Sequence, residues 1–152
     1  MRNYDALQQY GIALLRVIVG IVFIMHGSQK LFTYGYQGVV GSMGQMGIPA
    51  PEIAAVLIMA TEFIGGILLL LGLFTRLAAI PIAFAMLVAI LQVHLKNGFF
   101  AGGGGYEFPL TLAVAATALV LTGSGAWALD NVLGTDNKLL GRRRLVEVRR
   151  AA

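Results

Sequence analysis

The 152-residue chain contains no cysteine. That excludes a disulfide framework, thiolate metal sites and thiol catalysis. Charge is also scarce: Asp, Glu, Lys and Arg make up 12% of the residues, against roughly 25% in an ordinary soluble domain. Hydrophobic residues make up 58%, and mean hydropathy is +0.81. A soluble domain of this size buries too little of its surface to hide so much apolar material. The same composition excludes disorder. It also argues against a soluble nucleic-acid binder despite the net charge of +4, so no nucleic-acid partner is expected. The class that remains is a small polytopic membrane protein.

Several chemical signatures are missing too. There is no Glu-x-x-His pair of the di-iron helical bundles. No phosphate loop, dinucleotide fingerprint or zinc pattern occurs, and the glycine run at 102–105 lacks the strand and helix context those motifs need. No metal site is expected.

What is present is apolar length. A bilayer core needs about 20 apolar residues in helical form. Four segments qualify, at about 11–32, 52–74, 77–95 and 107–121. The first is not a cleavable signal peptide, because Arg16 lies inside it and no small-residue cleavage site follows. Pro51 and Glu52 suit the start of the second helix. Thr75 can cap the third. Gly123-Ser124-Gly125 stops the fourth.

Four spans place both termini on one side. Nine of the eleven Lys and Arg residues lie on or near that side, including Arg2, Arg16, Arg76 and the tail from Lys138 to Arg150. Lys30 and Lys96 lie on the other. The positive-inside rule then puts both termini in the cytoplasm. The expected fold is all-α: an antiparallel four-helix membrane bundle over residues 1–130, followed by a basic cytoplasmic tail over 131–152. Loops at about 33–51 and 96–106 face outward. Val39, Met43 and Met46 fall at i, i+4 and i+7, so the first of these loops is either a short amphipathic helix on the membrane surface or irregular.

Ionisable residues inside spans are costly and face the bundle interior. Glu62 lies near the middle of the second span, with Gly65 and Gly66 permitting close helix approach beside it. His26 and Lys30 share a face of the first span, with Gln29 beside them. Gln92, His94 and Lys96 lie near the outer end of the third, and Glu107 begins the fourth. The outer half of the bundle thus collects His, Lys, Gln and carboxylate side chains, while the inner half carries little beyond Arg16 and Arg76. This asymmetry predicts a polar pocket open to the outer face. The plainer readings are that Lys30 and Lys96 snorkel to headgroups, that Glu62 pairs with Arg16, His26 or Lys30 for structure, that His94 bonds backbone carbonyls, and that the basic tail contacts anionic lipid.

A quinone site needs an apolar slot, donors for the carbonyl oxygens, and a carboxylate or imidazole to pass protons. His26, Lys30, His94, Glu107 and Glu62 supply those groups, with Glu62 and His26 as the catalytic candidates. Arg16 and Arg76 are candidates for structural or charge-balancing roles. Two lone histidines do not specify a haem. Besides the membrane subunit of a quinone-linked redox complex, the pattern is compatible with a non-catalytic scaffold for soluble redox or stress partners, or with a small-solute transporter. Glycine faces such as Gly65/Gly72 serve packing within one chain or between copies in a homo-oligomer.

Several stretches resemble the DoxX family of small four-helix membrane proteins. They are Leu15-Arg16, Gly20 and His26-Gly27-x-x-Lys30-Leu31, then Gly47-Ile48-Pro49 and Glu62-x-x-Gly65-Gly66. Gly72-Leu73-x-Thr75-Arg76, Asn97-Gly98-Phe99, Gly105-Tyr106-Glu107-Phe108-Pro109 and Gly123-x-Gly125-x-Trp127-x-Leu129-Asp130 continue the pattern. The resemblance implies a multi-pass protein of a bacterial cytoplasmic membrane and a subunit of a redox system. The related DoxD and DoxA chains form a thiosulfate:quinone oxidoreductase. Other similar chains are associated with complexes of a superoxide dismutase and a sulfurtransferase. The resemblance does not by itself make this chain an enzyme, and without cysteine the chain offers no sulfur chemistry of its own.

Overall fold

The computed structural model describes residues 2–135, with side chains from residue 6 onward. The expected basic tail beyond residue 135 lies outside the described residues. Those described form helices and connections, with no strand among them. Helix α1 is Arg2–Ser28, α2 Gly35–Gln45, α3 Pro51–Leu71, α4 Thr75–Ala89, α5 Glu107–Thr122 and α6 Leu129–Leu133. Three helical stretches are long and apolar enough to cross a membrane, and α5 is a shorter apolar helix. The result is an all-α membrane helical bundle.

The helices form where they do for local reasons. In α1, Ala13, Arg16, Val19, Gly20, Phe23 and Gly27 are buried at three- and four-residue intervals, while Leu14, Ile18, Ile21 and Met25 face outward. Pro51 opens α3, where its missing N–H is not needed. Gly72 ends α3 in the left-handed region (φ 65), its N–H returning to the Leu68 and Leu69 carbonyls.

Helices α1, α3, α4 and α5 close around one core. Val19 and Phe23 of α1 meet Leu69 of α3, Ile82 of α4, and Leu112 and Leu119 of α5. The α1–α3 contact is very close. A Cβ on Gly27 would lie 2.5 Å from the Phe63 nitrogen, one on Gly20 2.7 Å from the Leu70 nitrogen, and one on Gly66 2.7 Å from the Ile24 nitrogen. Glycine at these three places lets two backbones touch, which substitutes for the hydrophobic drive that lipid removes. Gly65 turns instead to Ile82 of α4.

Two features depart from the sequence expectation. First, the helix does not stop at Phe32. It continues through a π-helical stretch, Gln29–Tyr34, into α2. There Val39 is buried against Ala55 and Met59 of α3. Segment 33–45 is therefore helical, as one alternative held, and its one buried residue, Val39, packs on α3. Val39 and Met43 of the apolar face, with Val40, pack against α3. Second, α4 also widens into a π-helical stretch, Ile90–His94, before a short 3₁₀ turn at Leu95–Asn97.

Candidate functional site

Glu62 is the twelfth residue of the 21 in α3, so it sits near the middle of a helix about 31 Å long. Its Oε2 accepts a hydrogen bond from the Lys30 ammonium at 2.6 Å. The glutamate side chain is 5% exposed and the lysine 20%. Among the described residues each is the other's only polar partner. The sequence left three partners open for Glu62, and the geometry selects Lys30.

This pairing moves Lys30. The sequence expectation put it in the outer half, as an end-of-helix residue. The π-helical stretch carries the first helix past Lys30 to flank the first turns of α3, so Lys30 lies level with mid-helix Glu62. A π turn accommodates an extra residue and re-aims the side chains around it, and such turns are frequent at functional sites.

His26 lies one turn below Lys30 and is exposed. Its ring faces Phe108, centroid to centroid 6.5 Å. Phe108 belongs to the first turn of α5, so α5 begins about one turn short of Lys30. By contrast, α3 extends eleven residues outward of Glu62 (Pro51–Thr61), about 16 Å. The bundle is stepped, and the ion pair lies beside the step with His26 at its lower edge.

His94 and Glu107 are engaged elsewhere. His94 Nδ1 lies 2.7 Å from the Gly104 carbonyl oxygen. A carbonyl only accepts, so Nδ1 carries the proton there. Asn97 donates to the same oxygen at 3.1 Å. Glu107 Oε2 accepts from the Ala101 N–H at 2.9 Å, and Phe99 packs edge-on against Phe100 and Tyr106. These contacts hold segment 95–106 in shape, so both residues serve the connection rather than an opposite wall against Lys30. The carbonyl-bonding alternative for His94 describes its actual contact.

The inner end is richer than the sequence indicated. Arg16 is 2% exposed, yet it does not balance Glu62. Its Nε donates to the Ser124 carbonyl at 2.8 Å and its Nη1 to those of Leu69 and Leu70, each at 2.7 Å. Nη2 reaches the carbonyls of Ala126 and Trp127 at 3.3 and 3.4 Å. A guanidinium offers five donors in a fixed fork, and here the fork gathers the end of α3 and the chain after α5. Arg76 donates to the carbonyls of Val120 and Leu121 at the end of α5, where a cation suits the helix dipole.

Asp130 is the residue that sequence reasoning passed over, beyond its place in the family resemblance. It is 1% exposed. Its Oδ1 accepts from the Phe74 N–H at 2.8 Å and its Oδ2 from the Thr75 N–H at 3.0 Å. The expected cap of α4 by the Thr75 side chain is thus corrected: a carboxylate from α6 caps the helix, and Thr75 Oγ1 has no hydrogen-bond partner among the described residues. The cap also holds Phe74 in the left-handed region (φ 49). A polar residue just past a glycine-marked helix stop was the signal that could have found it.

Among the described residues, no group of three or more His, Asp or Glu side chains is placed to hold a metal ion.

The DoxX family profile matches residues 11–95. CatD of Bacillus subtilis (strain 168), provisionally named an oxidoreductase, is 39% identical over 80% of this chain and 86% of its own length. Two proteins of Escherichia coli (strain K12), the inner membrane proteins YphA and YqjF, are 31% and 32% identical over 84% of this chain, and over 94% and 95% of their own lengths. No solved structure matches significantly. The apolar helices and these relatives make the protein a multi-pass protein of a bacterial inner membrane. A profile match over more than half of the chain, with relatives aligned nearly end to end, places the chain in the DoxX family.

Proposed function

We propose that the chain is the membrane subunit of a quinone-linked redox system, and that the Lys30–Glu62 pair receives the head group of a quinone or a comparably small polar substrate. The observation that carries this reading is the ion pair itself, placed at mid-helix depth beside a step in the bundle. Buried ion pairs bring little net stability, and an ionisable group at membrane depth is the first candidate for a functional site. The glycine contacts between α1 and α3 already hold these helices together without it.

Both partners keep capacity for a ligand. Lys30 uses one of its three N–H donors and can offer another to a carbonyl oxygen. Glu62 keeps Oε1 to accept from a hydroxyl. His26, at the lower edge, supplies an imidazole beside the pair as a proton donor or acceptor. A bound quinone would supply two-electron, two-proton chemistry. The chain's part is to bind the oxygens, exclude water and hold a proton at Glu62 or His26. His94 and Glu107 act by shaping segment 95–106. The provisional oxidoreductase name of CatD adds a redox context, and the charge asymmetry puts the step on the side away from the cytoplasm.

The test is photolabelling with an azidoquinone, with peptide mapping. Labelling of segment 26–34 or 59–66, lost in Glu62→Gln and in Lys30→Met, is the expected result. Absence of labelling there in the folded wild-type protein refutes the site. A scaffold without catalysis is the second reading, favoured by the fact that the two charges satisfy each other. It predicts that a folded Lys30→Met/Glu62→Leu variant keeps full activity in its complex.

A further inference from the structure

We infer that the segment after α5 is an interfacial anchor that selects anionic phospholipid, with Trp127 and the outward face of α6 in the headgroup layer. Four observations converge on it. Asp130 of α6 is buried and caps α4, so the opposite face of this short helix is turned away from the bundle. That face carries Leu129, Val132 and Leu133 at i, i+3 and i+4, and Val132 is 81% exposed. The order is the reverse of a soluble protein: the carboxylate points in and the apolar residues point out.

Trp127 is 77% exposed and packs against Tyr10 of α1, ring centroids 4.9 Å apart and planes tilted by 37°. Its backbone is left-handed (φ 51), a region that bulky residues seldom enter. The Arg16 fork holds the carbonyls on both sides of that strained bond, and the indole projects outward as a result. Trp and Tyr together at the end of a bundle are the usual residues of the membrane–water boundary.

The third observation is position. The Asp130 N–H donates to the Gly72 carbonyl at 2.8 Å, and the Ala126 N–H to that of Gln9 at 3.0 Å. The segment therefore lies across the inner end of the bundle, beyond the last span. The fourth is charge. Residues 136–152 contain six basic residues (Lys138, Arg142, Arg143, Arg144, Arg149, Arg150) and two acidic ones. An exposed apolar and aromatic face followed by a polybasic stretch is the pattern of surface anchoring to anionic lipid, in which the two signals act together. A soluble protein partner would account for the exposed face but gives no role to the excess of basic residues that follows it in the sequence.

Trp127 is the single tryptophan of the chain, which makes the test direct. The full-length protein is placed in nanodiscs of phosphatidylcholine with a minority of phosphatidylglycerol, one lipid at a time carrying brominated acyl chains. Brominated phosphatidylglycerol should quench Trp127 at least about twofold more per mole than brominated phosphatidylcholine. The preference should vanish in high salt and in a R142Q/R143Q/R144Q variant, whose changes touch none of the contacts described above. Equal quenching by the two lipids overturns the anionic selectivity. Efficient quenching by aqueous iodide with none by either lipid overturns the anchor altogether and leaves the face to a soluble partner.

Discussion

Replacing Glu62 alone with leucine leaves the Lys30 ammonium inside the bundle without a counter-charge. At 2.6 Å the attraction between the two charges is about 6 kcal/mol for an effective dielectric of roughly 20. Removing each ion from water costs several kcal/mol, so the intact pair is close to break-even. Cutting it in half is not. Loss of one partner of a buried pair costs about 3–5 kcal/mol. Lys30 is one-fifth exposed and can relax toward the step, which lowers the expected loss for Glu62→Leu to about 2–3 kcal/mol. Lys30→Met should cost more, about 3–5 kcal/mol, because Glu62, at 5% exposed, is the more deeply buried partner and has less room to relax. The double variant Lys30→Met/Glu62→Leu restores an apolar contact and should lie within about 1 kcal/mol of the wild type. The four proteins are compared by reversible unfolding with sodium dodecyl sulfate in mixed micelles, followed by Trp127 emission and far-ultraviolet circular dichroism. The coupling energy should be at least about 3 kcal/mol. If the losses of the single variants simply add, with a coupling below about 0.5 kcal/mol, the two charges are not energetically paired and the binding site built on them loses its foundation.

The same titration tests the helix contacts. Gly27→Ala drives a Cβ into the Phe63 backbone and should cost about 1–3 kcal/mol, whereas Gly41→Ala meets nothing within 4 Å and should be neutral or stabilising by up to about 1 kcal/mol. Asp130→Ala removes the acceptor for the Phe74 and Thr75 N–H groups; a loss of about 2–3 kcal/mol, with faster amide exchange at those two residues, is the expected outcome. His94→Ala leaves the Gly104 carbonyl with Asn97 alone as its side-chain donor, at the exposed outer end. It should change global stability by less than about 1 kcal/mol while measurably speeding hydrogen exchange across 98–106.

The spans were legible because lipid leaves few ways to satisfy a backbone: a run of apolar residues at membrane depth must be helical. Pro51, Gly72 and Gly123 marked their ends for reasons of backbone geometry alone. The two π-helical stretches had no such mark, since nothing in Gln29–Tyr34 or Ile90–His94 distinguishes an i+5 from an i+4 hydrogen bond. That one gap displaced Lys30 in the expectation and hid the continuation of the first helix into α2. Glu62 was recognisable as buried because a carboxylate in an apolar run has no other place to go. The partners of Arg16 were not recognisable, because they are carbonyl oxygens and every residue has one. Asp130 was missed for a related reason: it caps a helix 55 residues away in sequence, where local capping patterns have no reach.

The Arg16 fork also has a consequence in time. Arg16 and Ser124 are 108 residues apart, so at about 5–20 residues per second the arginine is made several seconds before the carbonyls that complete its shell. Leu69 and Leu70 can serve it first, once α3 has entered the bilayer beside α1. The carbonyls of Ser124, Ala126 and Trp127 arrive last, and Asp130 with them. Closure of the inner end is therefore the final act of assembly, and it reports that the whole membrane domain has been synthesised. A chain broken off before residue 123 would hold an arginine with three of its five donors unmatched, and a membrane quality-control protease would have a chemical reason to tell it from the finished protein.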